Sequence, residues 1–362
     1  MKALILIGGY GTRLRPLTLT VPKPLVDFGD KPILEHQIHA LANAGVTEII
    51  LAVNNQPPEL MASLKNFEDI YHVTITISIE NEPLGTAGPL RLAKELILKD
   101  NTSGLFFVFN SDVICDYPLD KFVEFHKAHG KEGTILTTFV EDPTRYGVVV
   151  AKDDGQIEKF VEKPTVFVSN KINAGLYLLN VSMIDRIEMR PTSIEREIFP
   201  QMAAEGQLYQ MSLNGYWMDI GQPKDYLIGQ KLFLQSHRER QSGQLANGTH
   251  IIGDVWIHPS AQVDPTATLG PNVVIGPNCI VGPGNKIYDS TILARTTVQG
   301  YSLIQGSIIG WANTIGKWSR IVNLTVTGED VQMKDETFLN GTMVLPHKPI
   351  AVSYPNPGSI VM

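Results

Sequence analysis

A chain of 362 residues is long for one core, so two domains are the default expectation. Hydrophobic residues at 43% and charged ones at 19% exclude a disordered or fibrous chain, and a formal charge of −7 speaks against nonspecific binding of nucleic acid or anionic membrane, so any anion site must be local. There is no apolar run near the ~20 residues that span a bilayer and no secretory leader pattern, and the two cysteines, Cys115 and Cys279, have no metal spacing; a cytosolic protein without disulfides or zinc is expected.

The first predicted element is the strand Ala3-Leu4-Ile5-Leu6-Ile7. A run apolar at every position is expected to be buried on both faces of a parallel sheet, so the loop that follows, Gly8-Gly9-Tyr10-Gly11-Thr12-Arg13, lies where α/β folds bind ligands. Glycines let backbone N–H groups crowd around an anion, while Arg13 and Lys23 add full positive charges. The stretch reads as a phosphate cradle. It is not a Walker A loop, and it fails the dinucleotide fingerprint because Leu14 stands where the third glycine belongs, so P-loop ATPase and hydride-transfer readings lose support.

Lys31 to Gly45 reads as a helix with Pro32 in its first turn, followed by the strand Glu48–Val53. Helix Glu59–Asn66, strand Val73–Ile79, helix Thr86–Leu98 and strand Leu105–Phe109 continue the alternation. This predicts an α/β, Rossmann-like domain with a mixed, mostly parallel sheet and helices on both faces. From Gly133 onward, Gly133–Val140, Gly147–Lys152 and Ile157–Val161 are short strands split by turns, an antiparallel lobe beside the sheet. Asn173–Leu179 returns as an apolar strand, Ser193 caps a helix ending near Gly206, and Lys231–Gln244 is polar and linker-like, with a helix as its alternative.

Beyond Ile251 a six-residue period begins, with aliphatic residues at Ile257, Val263, Leu269, Ile275, Val281, Ile287 and Leu293 and prolines in phase from Pro259 to Pro283. Small residues such as Ala261, Ala267 and Cys279 keep the same phase, as expected if each hexapeptide forms one short side of a triangular coil. The pattern predicts a left-handed β-helix. Its phase slips by one near Val298, then Ile309, Ile315 and Ile321 restore it. The predicted domains are therefore a catalytic domain over 1–232, a linker over 233–250 and the β-helix over 251–362.

Asn110-Ser111-Asp112 lies just past an apolar strand, and Asp219 follows Tyr216-Trp217-Met218. Two such carboxylates suit magnesium, which takes one or two protein carboxylates and fills its other positions with water and phosphate oxygens; a turn or cap role is the rival for each. Glu162-Lys163 ends a strand, where alternation turns the two side chains to opposite faces, so they need not pair. Asn173 offers an amide to a ligand hydroxyl or a turn, Gly147 lets backbone approach the same ligand, and Thr86 is an N-cap candidate. Nine histidines show no metal spacing and no nucleophile elbow occurs, so acyl chemistry is unsupported.

The segment Gly8-Gly9-Tyr10-Gly11-Thr12-Arg13-Leu14-Arg15-Pro16-Leu17-Thr18 with Pro22-Lys23-Pro24 resembles the signature of the sugar-1-phosphate nucleotidyltransferases, and the resemblance extends over essentially the whole chain. It implies transfer of a nucleotide from a nucleoside triphosphate to a sugar 1-phosphate with release of pyrophosphate and with Mg2+ as cofactor. Among members, likeness at Ser169-Asn170-Lys171-Ile172-Asn173-Ala174-Gly175 implies GTP and mannose 1-phosphate as the substrates. Uridylyl- or thymidylyltransfer to glucose 1-phosphate, a non-catalytic subunit that binds GDP-sugar and a hexapeptide acyltransferase are the rivals.

By the same resemblance the nucleotide meets Leu6, Gly8, Gly9, Gly11, Thr12, Arg13, Lys23, Glu82, Gly85, Thr86, Asn110 and Asp112, with Glu82 facing the base. The sugar phosphate meets Gly147, Glu162, Lys163, Asn173 and Asp219; Asp112 and Asp219 hold the metal, and Arg13, Lys23 and Lys163 are the catalytic cations. A homo-oligomer built through the tail, with or without a homologous regulatory subunit, is the expected assembly, with no nucleic acid or membrane partner.

Overall fold

The structure, a computed structural model, describes residues 1–9, 11–54 and 56–362. Tyr10 of the glycine-rich stretch lies outside the described residues. The chain divides into two compact units: residues 1–9 and 34–217 form the first, and residues 10–33 and 218–362 the second.

The first unit carries strands β1 (Lys2–Ile7), β2 (Glu48–Val53), β3 (Thr74–Ile79), β4 (Leu105–Asn110), β5 (Gly133–Phe139), β6 (Gly147–Ala151), β7 (Ile157–Glu162), β8 (Lys171–Asn180) and β9 (Leu208–Ser212). They make one nine-stranded sheet, in the order β7-β6-β8-β4-β1-β2-β3, with β5 pairing β8 and β9. β4, β1, β2 and β3 are mutually parallel, as the apolar runs predict. The antiparallel lobe expected beside the sheet is instead part of it. β8 hydrogen-bonds β4 along one edge and β5 along the other, because its apolar stretch is long enough to be central rather than peripheral.

Helices cover both faces of this sheet. Leu4, Phe106 and Val108 pack with Leu90 of α3 (Gly88–Leu92), Ile97 of α4 (Lys94–Leu98) and Phe199 of α6 (Phe199–Ala204). Alternation turns Phe107 the other way, onto Phe122 of α5 (Leu119–His129) with ring centroids 6.3 Å apart. The remaining helices of this stretch, α1 (Ile33–Asn43) and α2 (Pro58–Tyr71), follow the βαβ order. Several bounds depart from expectation. Lys31–Pro32 pairs with Asp27–Phe28 as a short hairpin, so α1 starts only at Ile33. The expected helix Thr86–Leu98 is two short helices that meet at Ala93, where ψ is 6°.

In the second unit α7 (Pro223–Glu239) occupies much of the expected linker. A left-handed β-helix follows, its three faces being parallel sheets of seven, six and five short strands. Successive coils are offset by 17 or 18 residues, and the inward positions include Val263, Leu269, Ile275, Val281 and Ile287, then Ile292, Val298 and Ile304. A five-residue step falls between Ile287 and Ile292, one side of the coil before the expected slip, because Ile292 rather than Leu293 points into the core, and it recurs between Ile304 and Ile309. Cys115 and Cys279 are buried free thiols. Among the described residues no helix is long and apolar enough to cross a membrane.

Candidate active site

In the first unit a cavity of about 280 Å3 opens at the carboxyl ends of β1 and β4, walled by Leu6, Ile7, Gly8, Glu80, Gly85, Thr86, Pro89, Asn110, Ser111 and Asp112. Parallel strands deliver their following loops to this edge, which is why Gly8 and Asp112, far apart in sequence, meet. The Ser111 amide donates to the Leu6 carbonyl at 3.2 Å. Gln37, fully buried on α1, donates to the carbonyls of Asn110 (2.8 Å) and Val113 (3.0 Å), which fixes the turn bearing Asp112 from both sides. Sequence reasoning misses Gln37, since a lone amide on an otherwise apolar helix face carries no pattern. A Cβ on Gly8 would meet nothing within 4 Å, so the space above the strand end is open to a ligand.

The loop leading into α3 is clamped from one side. Gly85 has φ +76° and forms a bridge with Thr192, and a Cβ there would lie 2.5 Å from the Thr192 carbonyl oxygen; only glycine fits. Ala87 N–H donates to Thr192 O at 2.9 Å, and Thr192 N–H returns a bond to Leu84 O at 3.0 Å. The Thr86 hydroxyl does not cap the helix. It donates to Glu195 Oε2 at 2.6 Å and accepts from the Ile194 amide at 2.9 Å.

Glu82 is exposed and outside the cavity wall. Of the two glutamates it is Glu80, only 8% exposed, that stands in the wall with Asp112. Its Oε2 accepts the Leu84 N–H at 3.0 Å, and its Oε1 has no hydrogen-bond partner among the described residues. Burial pushes its pKa above the ordinary carboxylate value, opposed in part by the Leu84 amide. Glu80 and Glu82 lie two residues apart just past β3, and of the two Glu80 is buried and Glu82 exposed, a difference that the sequence alone does not show.

A second group of expected residues gathers where β6, β7 and β8 pair. Glu162 faces Gly147 in the register, and a Cβ on Gly147 would lie 2.7 Å from Phe160 Cζ and 2.9 Å from Glu162 Oε2. Glu162 and Lys163 do pair, with Nζ 3.2 Å from Oε1, contrary to strand alternation. The reason is local: Lys163 leaves the strand with φ 46°, so the two side chains no longer point to opposite faces. Lys163 remains more than half exposed, at 57% of its side chain, against 14% for Glu162. Asn173 accepts from the Gly175 amide (2.9 Å) and donates to the Tyr177 hydroxyl (2.9 Å), so its amide is held in one orientation with one N–H to spare. Trp217 Nε1 donates to Ala174 O at 2.9 Å, and its ring meets Tyr146 edge-on at 5.5 Å.

The other expected cations lie in the second unit. Gly11 has φ +61°, and its carbonyl accepts from the Thr18 hydroxyl at 2.8 Å and from Leu14 N–H at 2.9 Å. Thr12 and Arg13 begin a single 3-10 turn and are exposed, while the Lys23 Cβ would stand 3.0 Å from a Cβ on Gly11. A Cβ on Gly221 would meet Asp219 Oδ1 at 3.2 Å and Arg13 Nη2 at 3.5 Å, which places carboxylate and guanidinium beside the same glycine. Among the described residues no three His, Cys, Asp or Glu side chains gather as a cage. Asp112, in the cavity wall of the first unit, and Asp219, in the second, are each carboxylates, the donor type that a hard divalent cation takes alongside water and substrate oxygens.

The nucleotidyl transferase family model matches residues 2–236, and the GMPPB C-terminal domain model matches residues 251–360. The chain is 56% identical over 365 residues to a mannose-1-phosphate guanyltransferase of Schizosaccharomyces pombe, with the whole of both chains covered. It is also 56% identical over 362 residues to mannose-1-phosphate guanyltransferase beta-A of Xenopus laevis, again with full coverage of both. Among solved structures, HddC from Yersinia pseudotuberculosis complexed with GMP-PN is similar at 30% identity and a TM-score of 0.52, covering 63% of this chain and 97% of that one. A putative glucose-1-phosphate thymidylyltransferase from Bacillus anthracis is similar at 25% identity and a TM-score of 0.58, covering 63% of this chain and 93% of that one.

Proposed function

The chain belongs to the mannose-1-phosphate guanyltransferase family, and from this we propose that it transfers GMP from GTP to α-D-mannose 1-phosphate, giving GDP-mannose and pyrophosphate. The observation that carries the reading is the cavity at the ends of β1 and β4, where an open glycine, a buried carboxylate and Asp112 share one wall.

The attacking group is a phosphate oxygen of the sugar 1-phosphate. With a second pKa near ~6 it is largely dianionic at neutral pH and needs no general base, which suits a set of site residues without histidine. The obstacle is repulsion between anions: two unit charges ~4 Å apart at an effective dielectric of ~20 cost about 4 kcal/mol, roughly a thousandfold in rate. The loop amides of Gly8, Gly9, Gly11 and Thr12, with Arg13 and Lys23, hold the triphosphate. Lys163 grips the sugar phosphate, and Glu162, Asn173 and the Gly147 backbone orient the sugar. Glu80 takes the base-reading role: a carboxylate accepts from the N–H edge of guanine, and its free Oε1 stands in the cavity wall beside Gly85.

The family generally uses a divalent metal, and Mg2+ is the ion assigned here, held by Asp112 and Asp219. When bound it neutralises charge on the phosphate oxygens. For assembly, the reading is a homo-oligomer formed through the β-helix, open to a homologous regulatory subunit, in the cytosol.

The test is pyrophosphate release by the purified chain across GTP, ATP, UTP and dTTP, each with mannose 1-phosphate and glucose 1-phosphate. GTP with mannose 1-phosphate is expected to exceed every other pair in kcat/KM by at least tenfold. A preference for UTP or dTTP with glucose 1-phosphate overturns the assignment.

A further inference from the structure

The three faces of the β-helix differ in what they turn outward. On one, the outward row runs through Trp256 and Val274 to Ile308 and Val326 and ends at Met343 and Ile360, apolar almost throughout. The equivalent positions of the other faces include Gln262, Thr314, Lys286 and Arg320. α7 lies on the first coils of the apolar face, where Gln230 Nε2 donates to the carbonyls of Asn272 (3.1 Å) and Ser290 (3.2 Å). The row is buried as far as Val326, 2% exposed; beyond it Met343 is 39% and Ile360 56% exposed.

At this step, beside the first turn of α7, there is a cavity of about 290 Å3. Val326, Met343, Ile360 and Pro223 make its apolar wall, and Arg13 and Lys224 bring two cations to it. Among the described residues no carboxylate lines it. Neither Arg13 nor Lys224 has an ion-pair or hydrogen-bond partner among the described residues. Two cations on one cavity, with the Asp219 carboxylate near Arg13 but outside the wall, call for an anion, and an apolar wall calls for an organic body. The volume sits at the small end of the roughly 300–1,000 Å3 typical of small-molecule pockets. We propose that this cavity binds a small organic phosphate monoester, with its phosphate between Arg13 and Lys224 and its body on Met343 and Ile360.

Arg13 gives the site a consequence for turnover, which rests on the assignment of Arg13 to the GTP triphosphate. A ligand that draws the guanidinium into the cavity and a triphosphate that needs it oppose each other, and the coupling is reciprocal. The bound monoester therefore raises the KM for GTP without lowering kcat.

Phenyl phosphate is the probe. It is titrated by calorimetry into the full chain without nucleotide or sugar, and into Lys224→Met and Met343→Trp, neither of which is among the proposed catalytic groups or adds a charge beside Arg13. One site is expected, weakened at least tenfold in each variant; inorganic phosphate, lacking the body, binds more weakly than phenyl phosphate. In turnover assays phenyl phosphate raises the KM for GTP in the parent chain and leaves it unmoved in Lys224→Met, whose kinetics without the probe match the parent. No binding, or equal binding by parent and both variants, overturns the site. Binding without any change in KM overturns the coupling. Because the calorimetric arm uses no substrate, binding that persists in a protein inactive on GTP and mannose 1-phosphate sinks the catalytic reading and leaves the cavity assignment standing.

Discussion

A buried carboxylate discriminates between bases because it is costly to leave facing the wrong one. Glu80 is the residue on which guanine selectivity is expected to rest, and Glu80→Gln replaces an acceptor-only group by one that also presents a donor. The loss of a hydrogen bond to a charged group is worth about 1.5–3 kcal/mol, so kcat/KM for GTP should fall roughly 10- to 100-fold while ITP, which lacks the exocyclic amine, falls less; equal losses would remove Glu80 from base reading. Its raised pKa adds a pH signature. As pH drops, Glu80 protonates earlier than an ordinary carboxylate and loses its acceptor, so the KM for GTP should climb on the acid side in the parent and stay flat in the variant. Lys163 is the residue proposed for the other substrate. Held by a left-handed backbone and paired with Glu162, it is more than half exposed, so Lys163→Ala should leave melting unchanged, raise the KM for mannose 1-phosphate and spare that for GTP. A matching rise for both substrates would assign Lys163 elsewhere.

At the scale of elements, α5 carries a polar cluster inside its buried face. His126 Nδ1 lies 2.7 Å from the Thr134 hydroxyl and its Nε2 3.0 Å from Asn180 Oδ1, while His129 Nε2 reaches the same hydroxyl at 2.8 Å and its ring stacks on Tyr209 at 4.3 Å. Burial lowers the pKa of both rings, and neighbouring His126 and Lys131 help to push His129 down to about 4. With the unfolded value near ~6.5, the unfolded chain binds more protons between pH 6.5 and about 4, so stability falls as pH drops through that window. About 2 kcal/mol is expected after allowing for the partly exposed His129 ring. Chemical denaturation at pH 7 and pH 4.5 measures it, and His129→Gln should flatten the slope. The same helix shows why some elements were illegible in the sequence. Its buried positions are Leu119, Phe122 and His126, and with a histidine in an apolar slot the helical period disappears. Strands read better because β1, β2 and β4 are apolar at nearly every position, and the hexapeptide period reads best because it repeats. The slip at Ile292 reads one side of the coil too late in the sequence since Leu293, also buried, imitates the right phase. The pairing of Glu162 with Lys163 was invisible because a left-handed lysine has no sequence signature.

At the scale of the molecule, sequence contiguity assigns residues 10–33 to the catalytic domain, yet they pack in the same compact unit as α7 and the β-helix. The links are specific. Tyr226 OH donates to the Asp27 carbonyl at 2.7 Å, Trp311 Nε1 donates to Asp27 Oδ2 at 2.7 Å, and Phe28 meets Tyr226 and Phe233 edge-on at 5.3 and 5.7 Å. A Cβ on Gly29 would stand 2.4 Å from the Phe233 ring. A bond spanning 284 residues leaves no periodic trace, so this arrangement could not be read from the chain. It gives the β-helix a task besides the proposed assembly, namely bracing the segment that carries Arg13 and Lys23. Trp311→Phe keeps the ring and removes one donor to a carboxylate, for which about 1.5–3 kcal/mol is the usual scale. It should lower the melting temperature and raise the KM for GTP, leaving kcat and the KM for mannose 1-phosphate near the parent values. Ending the chain at Gln244 removes Trp311 with every coil beneath α7, and should weaken GTP binding far more than Trp311→Phe does while also shrinking the oligomer on gel filtration. Two outcomes separate the two tasks: a smaller oligomer with intact GTP binding leaves the β-helix only assembly, and weakened GTP binding at unchanged size leaves it only the bracing.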